Sequence, residues 1–119
     1  MMQRRSYRQL EIRWVDLNPT RGAETRKKRP CVILQSDVMN RGSRTVIIAP
    51  ILPGHKHWPF VVNLTPTLQN GLDKDRHINL KQLRAVDVSR IEDRLGMLEE
   101  RYLPEILSAI ALIFGMKRY

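Results

Sequence analysis

Cysteine is almost absent, for Cys31 is the only one in 119 residues. A lone thiol closes no internal disulfide, and no Cys or His cluster at zinc spacing replaces it, so stability has to come from packing. Long apolar runs are also missing. Arg4 and Arg5 are followed by no hydrophobic stretch, and the one sustained run, Leu103 to Met116, is too short to span a bilayer and at the wrong end for a signal peptide. The expectation is a cytoplasmic protein with no membrane association. There is no Gly-rich phosphate loop, no G-x-S-x-G, no helical zinc-ligand pair and no dinucleotide fingerprint, which removes the main support for several enzyme classes. Neither a metal nor another cofactor is expected.

Acidic residues are few: 12 against 21 Lys and Arg, for a net charge of +9, with 42% hydrophobic residues. A chain of this size buries roughly two thirds of its unfolded surface, so residues 1–119 are expected to form one domain with one core. The charge is unevenly placed. Residues 1–29 hold nine basic and three acidic groups, whereas residues 82–101 hold four basic and five acidic ones. The first segment therefore suits a polyanionic partner and the second does not.

From Leu10 the chain alternates, with Leu10, Ile12 and Trp14 on one side and Glu11, Arg13 and Val15 on the other, which predicts a strand ending at Asn18-Pro19. Asn18 to Arg29 reads as a loop of about twelve residues, a length usual for functional or mobile segments. Pro30 to Gln35 reads as a strand buried on both faces, Ser36 as the cap of a short helical turn, and Thr45 to Ile51 as a second buried strand. The segment His55 to Pro59 reads as an exposed loop, Phe60 to Leu64 as a strand, and Thr65 to Asp75 as a connection. Short strands are expected at His77 to Leu80, Leu83 to Val86 and Leu95 to Leu98, with a capped turn at Asp87 or Ser89. Tyr102 to Met116 is the clearest helix, with Pro104 in its first turn and Gly115 near its end. Leu103, Ile106, Leu107, Ile110, Ile113 and Phe114 share an apolar face, and further apolar residues off that face predict burial on more than one side, in the core or at a subunit interface. Short strands with a closing helix suggest a small, strongly curved antiparallel sheet or barrel.

The segment Arg21 to Pro30 carries the chemistry. Its plain reading is a solvated basic loop; its functional reading is a phosphate clamp built from Arg21, Arg26, Lys27, Lys28 and Arg29 around one carboxylate, Glu24. Those cations favour the ionised, proton-accepting form of Glu24, and Arg29, tied by Pro30 to a buried strand, is placed to stabilise a pentacoordinate phosphorane. RNA scission without a metal needs a base for the 2′-hydroxyl, cations for the phosphorane oxygens and an acid for the leaving 5′-oxygen. Glu24 and Arg29 supply the first two. His57 and Trp58 are either incidental residues of a loop tip or contribute acid-base chemistry and base stacking. Cys31 reads as a buried structural thiol, and His77 as a satisfied strand residue.

The run Ile12-Arg13-Trp14-Val15-Asp16-Leu17-Asn18-Pro19-Thr20-Arg21-Gly22-Ala23-Glu24, followed by Arg29-Pro30, resembles the opening of the MazF/PemK/Kid family of toxin endoribonucleases. The likeness continues through Ser36-Asp37, Asn40-Arg41, Thr45 to Ile51, Pro59-Phe60, Gln82 to Asp87 and Arg90-Ile91, over nearly the whole chain and in order. The resemblance implies an α+β, mainly β fold: an SH3-like antiparallel barrel with short helices and a C-terminal helix, assembled as a homodimer. It also implies metal-independent cleavage of single-stranded RNA to 2′,3′-cyclic phosphate and 5′-hydroxyl ends. The second partner would be a MazE-like antitoxin with an acidic, flexible tail lying across the RNA groove.

Arg29 matches the arginine of the family's R-P step and Glu24 the glutamate of its G-x-E motif, both catalytic in some members. Two positions depart from the pattern. Leu52 stands where many members carry Ser or Thr, and Lys81 where several carry Asp, Glu or Asn. Acid-base roles at those positions do not transfer; Lys81 is a candidate to hold the scissile phosphate or donate a proton, or a plain exposed lysine. Arg84 is expected to touch RNA or to brace the barrel through a salt bridge such as one to Asp87. The alternative reading is a non-catalytic toxin or regulator on the same scaffold.

Overall fold

The computed structural model describes residues 7–24 and 27–116. Seven strands run β1 (Glu11–Asp16), β2 (Lys28–Ile33), β3 (Thr45–Pro53), β4 (Val61–Leu64), β5 (Arg76–Asn79), β6 (Arg84–Asp87) and β7 (Ile91–Met97), with helices α1 (Asp37–Asn40) and α2 (Leu103–Phe114). All the strand pairs are antiparallel, in the order β4-β5-β3-β2-β1-β7, with β6 also on β3. The long strand β3 is the corner of the fold. Along one edge its first half pairs with β6 (Thr45 to Asp87) and its last three residues pair with β5 (Ile51 to Ile78), while Ile48 to Pro50 hold β2 on the other edge. Two sheets thus share one strand and curl into an open barrel.

The core changes side of the sheet. Leu10, Ile12, Val32, Ala49 and Ile51 pack beneath α2, whereas Val15, Leu17, Cys31, Ile33, Val46 and Ile48 pack on the opposite face. Alternation along β1 and β3 places Ile12 and Val15 on opposite faces, and both are fully buried because each half of the strand has its own layer of apolar partners. Trp14 and Ile47 lie past those layers and stay partly exposed.

The expected elements form, with shifted limits. The last strand begins at Ile91 rather than Leu95, because its first residues pair with β1 as far as Val15. Ser36 caps α1, its Oγ accepting from the amide of Met39 at 3.3 Å, and Asp87 caps a 3-10 turn over Val88–Arg90. Helix α2 ends at Gly115, whose φ of 58° is left-handed and whose amide donates to Ala111 O. Its buried stripe departs from the expected face. Ile106, Ala109, Ile110 and Ile113 meet the sheet, while Leu103, Leu107 and Phe114 are exposed, Leu107 at 57%. A helix lying on one surface buries only the stripe it turns towards it, so a broad apolar helix leaves part of its face uncovered. No helix of the described residues is long and apolar enough to cross a membrane.

Candidate RNA-cleavage site

The connection from β1 to β2 is closed at its base by backbone contacts. Leu17 N donates to Lys27 O, and Lys27, at a φ of 72°, donates its own amide to Asn18 Oδ1, each at 3.1 Å. From the turn just before β7, the strand next to β1, the Arg90 guanidinium donates to the carbonyls of Asp16 and Asn18, whose bond to Pro19 is cis. At the tip, Arg21 N donates to Glu24 Oε1 at 2.6 Å and Glu24 N donates to Arg21 O at 3.1 Å. Glu24 therefore closes its own turn.

That turn forms one wall of a cleft of about 540 Å³. Glu24, Ala23 and Leu17 line it from the loop, Trp58 and Phe60 from the segment before β4, and Asn79 and Lys81 to Arg84 from the 3-10 turn between β5 and β6 and its flanks. The cleft holds two cations, Lys81 and Arg84, against one carboxylate, Glu24. A second hollow of about 510 Å³ on the chain is lined by Asp37, Glu99 and Glu100, with Arg8 the only Lys or Arg lining it among the described residues. A phosphate is repelled there and attracted to the first.

The floor is built from short-range geometry. Asn79, nearly buried, turns its Oδ1 onto the amide of Lys81 at 3.1 Å and so fixes the start of the turn that presents Lys81 and Gln82. Lys81 Nζ lies 5.3 Å from the centre of the Phe60 ring, and Arg84 Nη1 donates to Leu17 O at 3.4 Å, tying the floor to the loop wall. Asp87 accepts from the amide and hydroxyl of Ser89, so the contact seen for Arg84 is with the loop.

Arg29 is half-buried on β2, opposite Val15, and is not among the residues that line the cleft. It stands with Arg84 near the Cys31 thiol. Burial pushes that thiol up to about 12, against the pull of both guanidinium charges. At such a value almost no thiolate forms near neutrality, so Cys31 is structural.

The other expected residues fall into three groups. Trp58, Lys81 and Arg84 share the cleft with Glu24. Arg21, Lys27 and His57 are exposed on the loops that carry Glu24 and Trp58 and do not line the cleft. Lys28 instead forms an ion pair with Glu92 at 3.0 Å, whose hydrogen bond and charge raise the lysine pKa, and Arg26 lies outside the described residues. Sequence reasoning missed Asn79 and Phe60, the first signalled only by an Asn two residues before Lys81. His77 is buried, with Nδ1 2.8 Å from Gly54 O, as a satisfied strand residue. Among the described residues no group of three or more His, Cys, Asp or Glu is placed to hold a metal ion.

Comparison with known proteins gives a consistent result. The family model described as "PemK-like, MazF-like toxin of type II toxin-antitoxin system" matches residues 8–114. The chain is 32% identical over 110 residues to the Endoribonuclease MazF of Staphylococcus epidermidis, covering 92% of each chain, and 33% identical over 108 residues to that of Staphylococcus saprophyticus, covering 89% of each. Among solved structures it is similar to MazF from Deinococcus radiodurans, with a TM-score of 0.77 at 24% identity over 92% of this chain and 97% of that one. An endoribonuclease in complex with its cognate antitoxin, from a mycobacterial species, superposes with a TM-score of 0.76 at 17% identity, covering 96% of this chain and all of the other.

Proposed function

We propose, for a chain that belongs to the PemK-like, MazF-like toxin family of type II toxin-antitoxin systems, that it is an endoribonuclease cutting single-stranded RNA, chiefly mRNA, at short sequences and so blocking translation. The observation that carries this reading is that Glu24, Lys81 and Arg84 line one cleft, which brings a carboxylate and two cations to the same cavity. Glu24 takes the proton of the 2′-hydroxyl. The 2′-oxygen attacks phosphorus, the bond to the 5′-oxygen breaks with that oxygen taking a proton from water, and the products are a 2′,3′-cyclic phosphate and a 5′-hydroxyl. Lys81 and Arg84 hold the phosphoryl oxygens, and Arg29 on β2 adds positive field where charge builds up. No metal is required in this scheme.

The same reading makes the protein a cytoplasmic homodimer held in check by a MazE-like antitoxin. An acidic, flexible antitoxin tail fits the cleft on the same electrostatic ground as RNA does, since both are polyanionic strands. The exposed Leu103, Leu107 and Phe114 of α2 are apolar surface that the monomer leaves uncovered, which agrees with further association.

End-group analysis tests the chemistry. Fragments of a defined single-stranded RNA should carry cyclic phosphate at the upstream end and a free 5′-hydroxyl downstream that polynucleotide kinase labels without prior phosphatase. Fragments with a 5′-phosphate and a 3′-hydroxyl would contradict attack by the 2′-oxygen.

A further inference from the structure

One wall of the cleft is an aromatic step flanked by cations. The rings of Trp58 and Phe60 stack at 5.5 Å between centroids with 18° between planes, Lys56 Nζ lies 5.4 Å from the Trp58 ring centre and Lys81 Nζ 5.3 Å from that of Phe60. Both rings line the cleft, yet 47% of Trp58 remains exposed, a large apolar surface left open beside the cations. The step is held from beneath. Asn63 brackets Lys56 by accepting from its amide and donating to its carbonyl, both at 3.0 Å, His55 Nε2 sits 2.9 Å from Leu64 O, and Val61 N donates to Trp58 O.

A stacked, anchored pair of rings with a lysine beside each matches what an unpaired nucleobase and its two flanking phosphates need. The nearby Lys56 contact is an exposed cation on a flexible stem, which an arriving base displaces easily and which then becomes free to meet a phosphate. We propose that Trp58 is a specificity-determining residue: it stacks one unpaired base next to the scissile phosphate, prefers a purine because the larger ring covers more of the indole, and sets the register in which Glu24 meets the 2′-hydroxyl. This rests on the endoribonuclease reading above. It assigns to the Trp58 to Phe60 step a task distinct from phosphate binding by Lys81 and Arg84.

Two measurements test it. The first is quenching of Trp58 fluorescence in a Trp14→Phe background when a 2′-O-methyl RNA, which has no nucleophilic hydroxyl, is added. The second is a cycle in which each base around the cut is replaced by an abasic site and kcat/KM is compared for wild type, Trp58→Ala and Trp58→Phe. Stacking on an aromatic side chain changes affinity by roughly 5- to 150-fold. The expected result is quenching, together with one position, better cut when a purine, at which base removal costs the wild type about tenfold or more, costs Trp58→Ala little and costs Trp58→Phe an intermediate amount. A merely structural Trp58 lowers kcat/KM without changing dependence on any one base. No quenching, or equal abasic penalties in wild type and Trp58→Ala at every position, overturns the assignment. A wild type that cuts no RNA contradicts the endoribonuclease reading, while the quenching titration, which needs no cutting, still decides the stacking.

Discussion

The backbone amide of Arg21 donates to Oε1 of Glu24 at 2.6 Å, so the carboxylate that lines the cleft is also the group that closes the turn presenting it. In the proposed reaction, base and scaffold are one residue. A substitution at Glu24 therefore acts on two quantities, the proton transfer and the position of the loop wall, and the choice of replacement separates them.

Glu24→Gln keeps an oxygen able to accept from Arg21 and removes the base, whereas Glu24→Ala removes both. Cleavage is expected to fall about 10²- to 10⁴-fold in each, the usual range for losing a general base. Affinity for a 2′-O-methyl RNA should stay near wild type in Glu24→Gln and weaken in Glu24→Ala. Single-turnover rates and equilibrium titrations check the two halves separately.

The cations of the cleft should make binding depend on salt. Each phosphate neutralised on a single strand contributes a slope of about -0.7 to log K against log salt. Lys81→Ala and Arg84→Ala should each make that slope shallower by roughly this amount. Lys28→Ala should change it less, since Lys28 is paired with Glu92. Equal slopes for all four proteins would place the RNA elsewhere.

Away from the cleft, Glu99 fastens the connection before β5 to the segment entering α2. Burial raises its pKa, but hydrogen bonds from the Thr67 hydroxyl (2.5 Å), the backbone and Asn70 Nδ2 (3.1 Å) outweigh burial and hold the carboxyl below its ordinary value of 4.5. A depressed folded-state pKa stabilises the protein above the unfolded value, and that contribution disappears as pH falls through the lower folded value. Urea midpoints of wild type and Glu99→Gln should differ near pH 7 and converge as pH drops from about 4.5 to below the folded pKa.

Gly96 on β7 has no room for a side chain. A Cβ built there would lie 2.4 Å from Gln69 O and 2.5 Å from Asn70 O, both of them backbone atoms that a rotamer change cannot move. Gly96→Ala should destabilise the fold by about 1–3 kcal/mol or more, as overpacking does. Denaturant unfolding measures it, and an unchanged midpoint would mean that the close approach of residues 69–70 to β7 is not maintained in solution.

Much of this arrangement was legible in the sequence for local reasons. The apolar runs before Leu34 and after Thr45, the Ser36 and Asp87 caps and the Pro104 and Gly115 limits of α2 all follow from properties of neighbouring residues. The exchange of the core from one face of the sheet to the other was not legible, because alternation puts Ile12 and Val15 on opposite faces without saying that both are covered. The same holds for α2, where Ala109 is buried and Leu107 is not. At the site, the basic loop and its embedded carboxylate stood out, but the cleft is made by contacts across long stretches of chain. Arg84 reaches Leu17, 67 residues away, and Lys28 finds Glu92, 64 residues away, and neither contact leaves a mark in local composition.

The central claim is that this cleft cuts RNA with protein groups alone. The direct measurement is incubation of a long single-stranded RNA with wild type, Glu24→Gln, Arg29→Ala and Arg84→Ala in excess EDTA, with cut sites mapped along the strand. Discrete wild-type cuts are expected, weakened about 10²- to 10³-fold on loss of a guanidinium and at least as strongly on loss of the base. No cutting by the wild type, or the same cuts at the same rates by all four proteins, would contradict it.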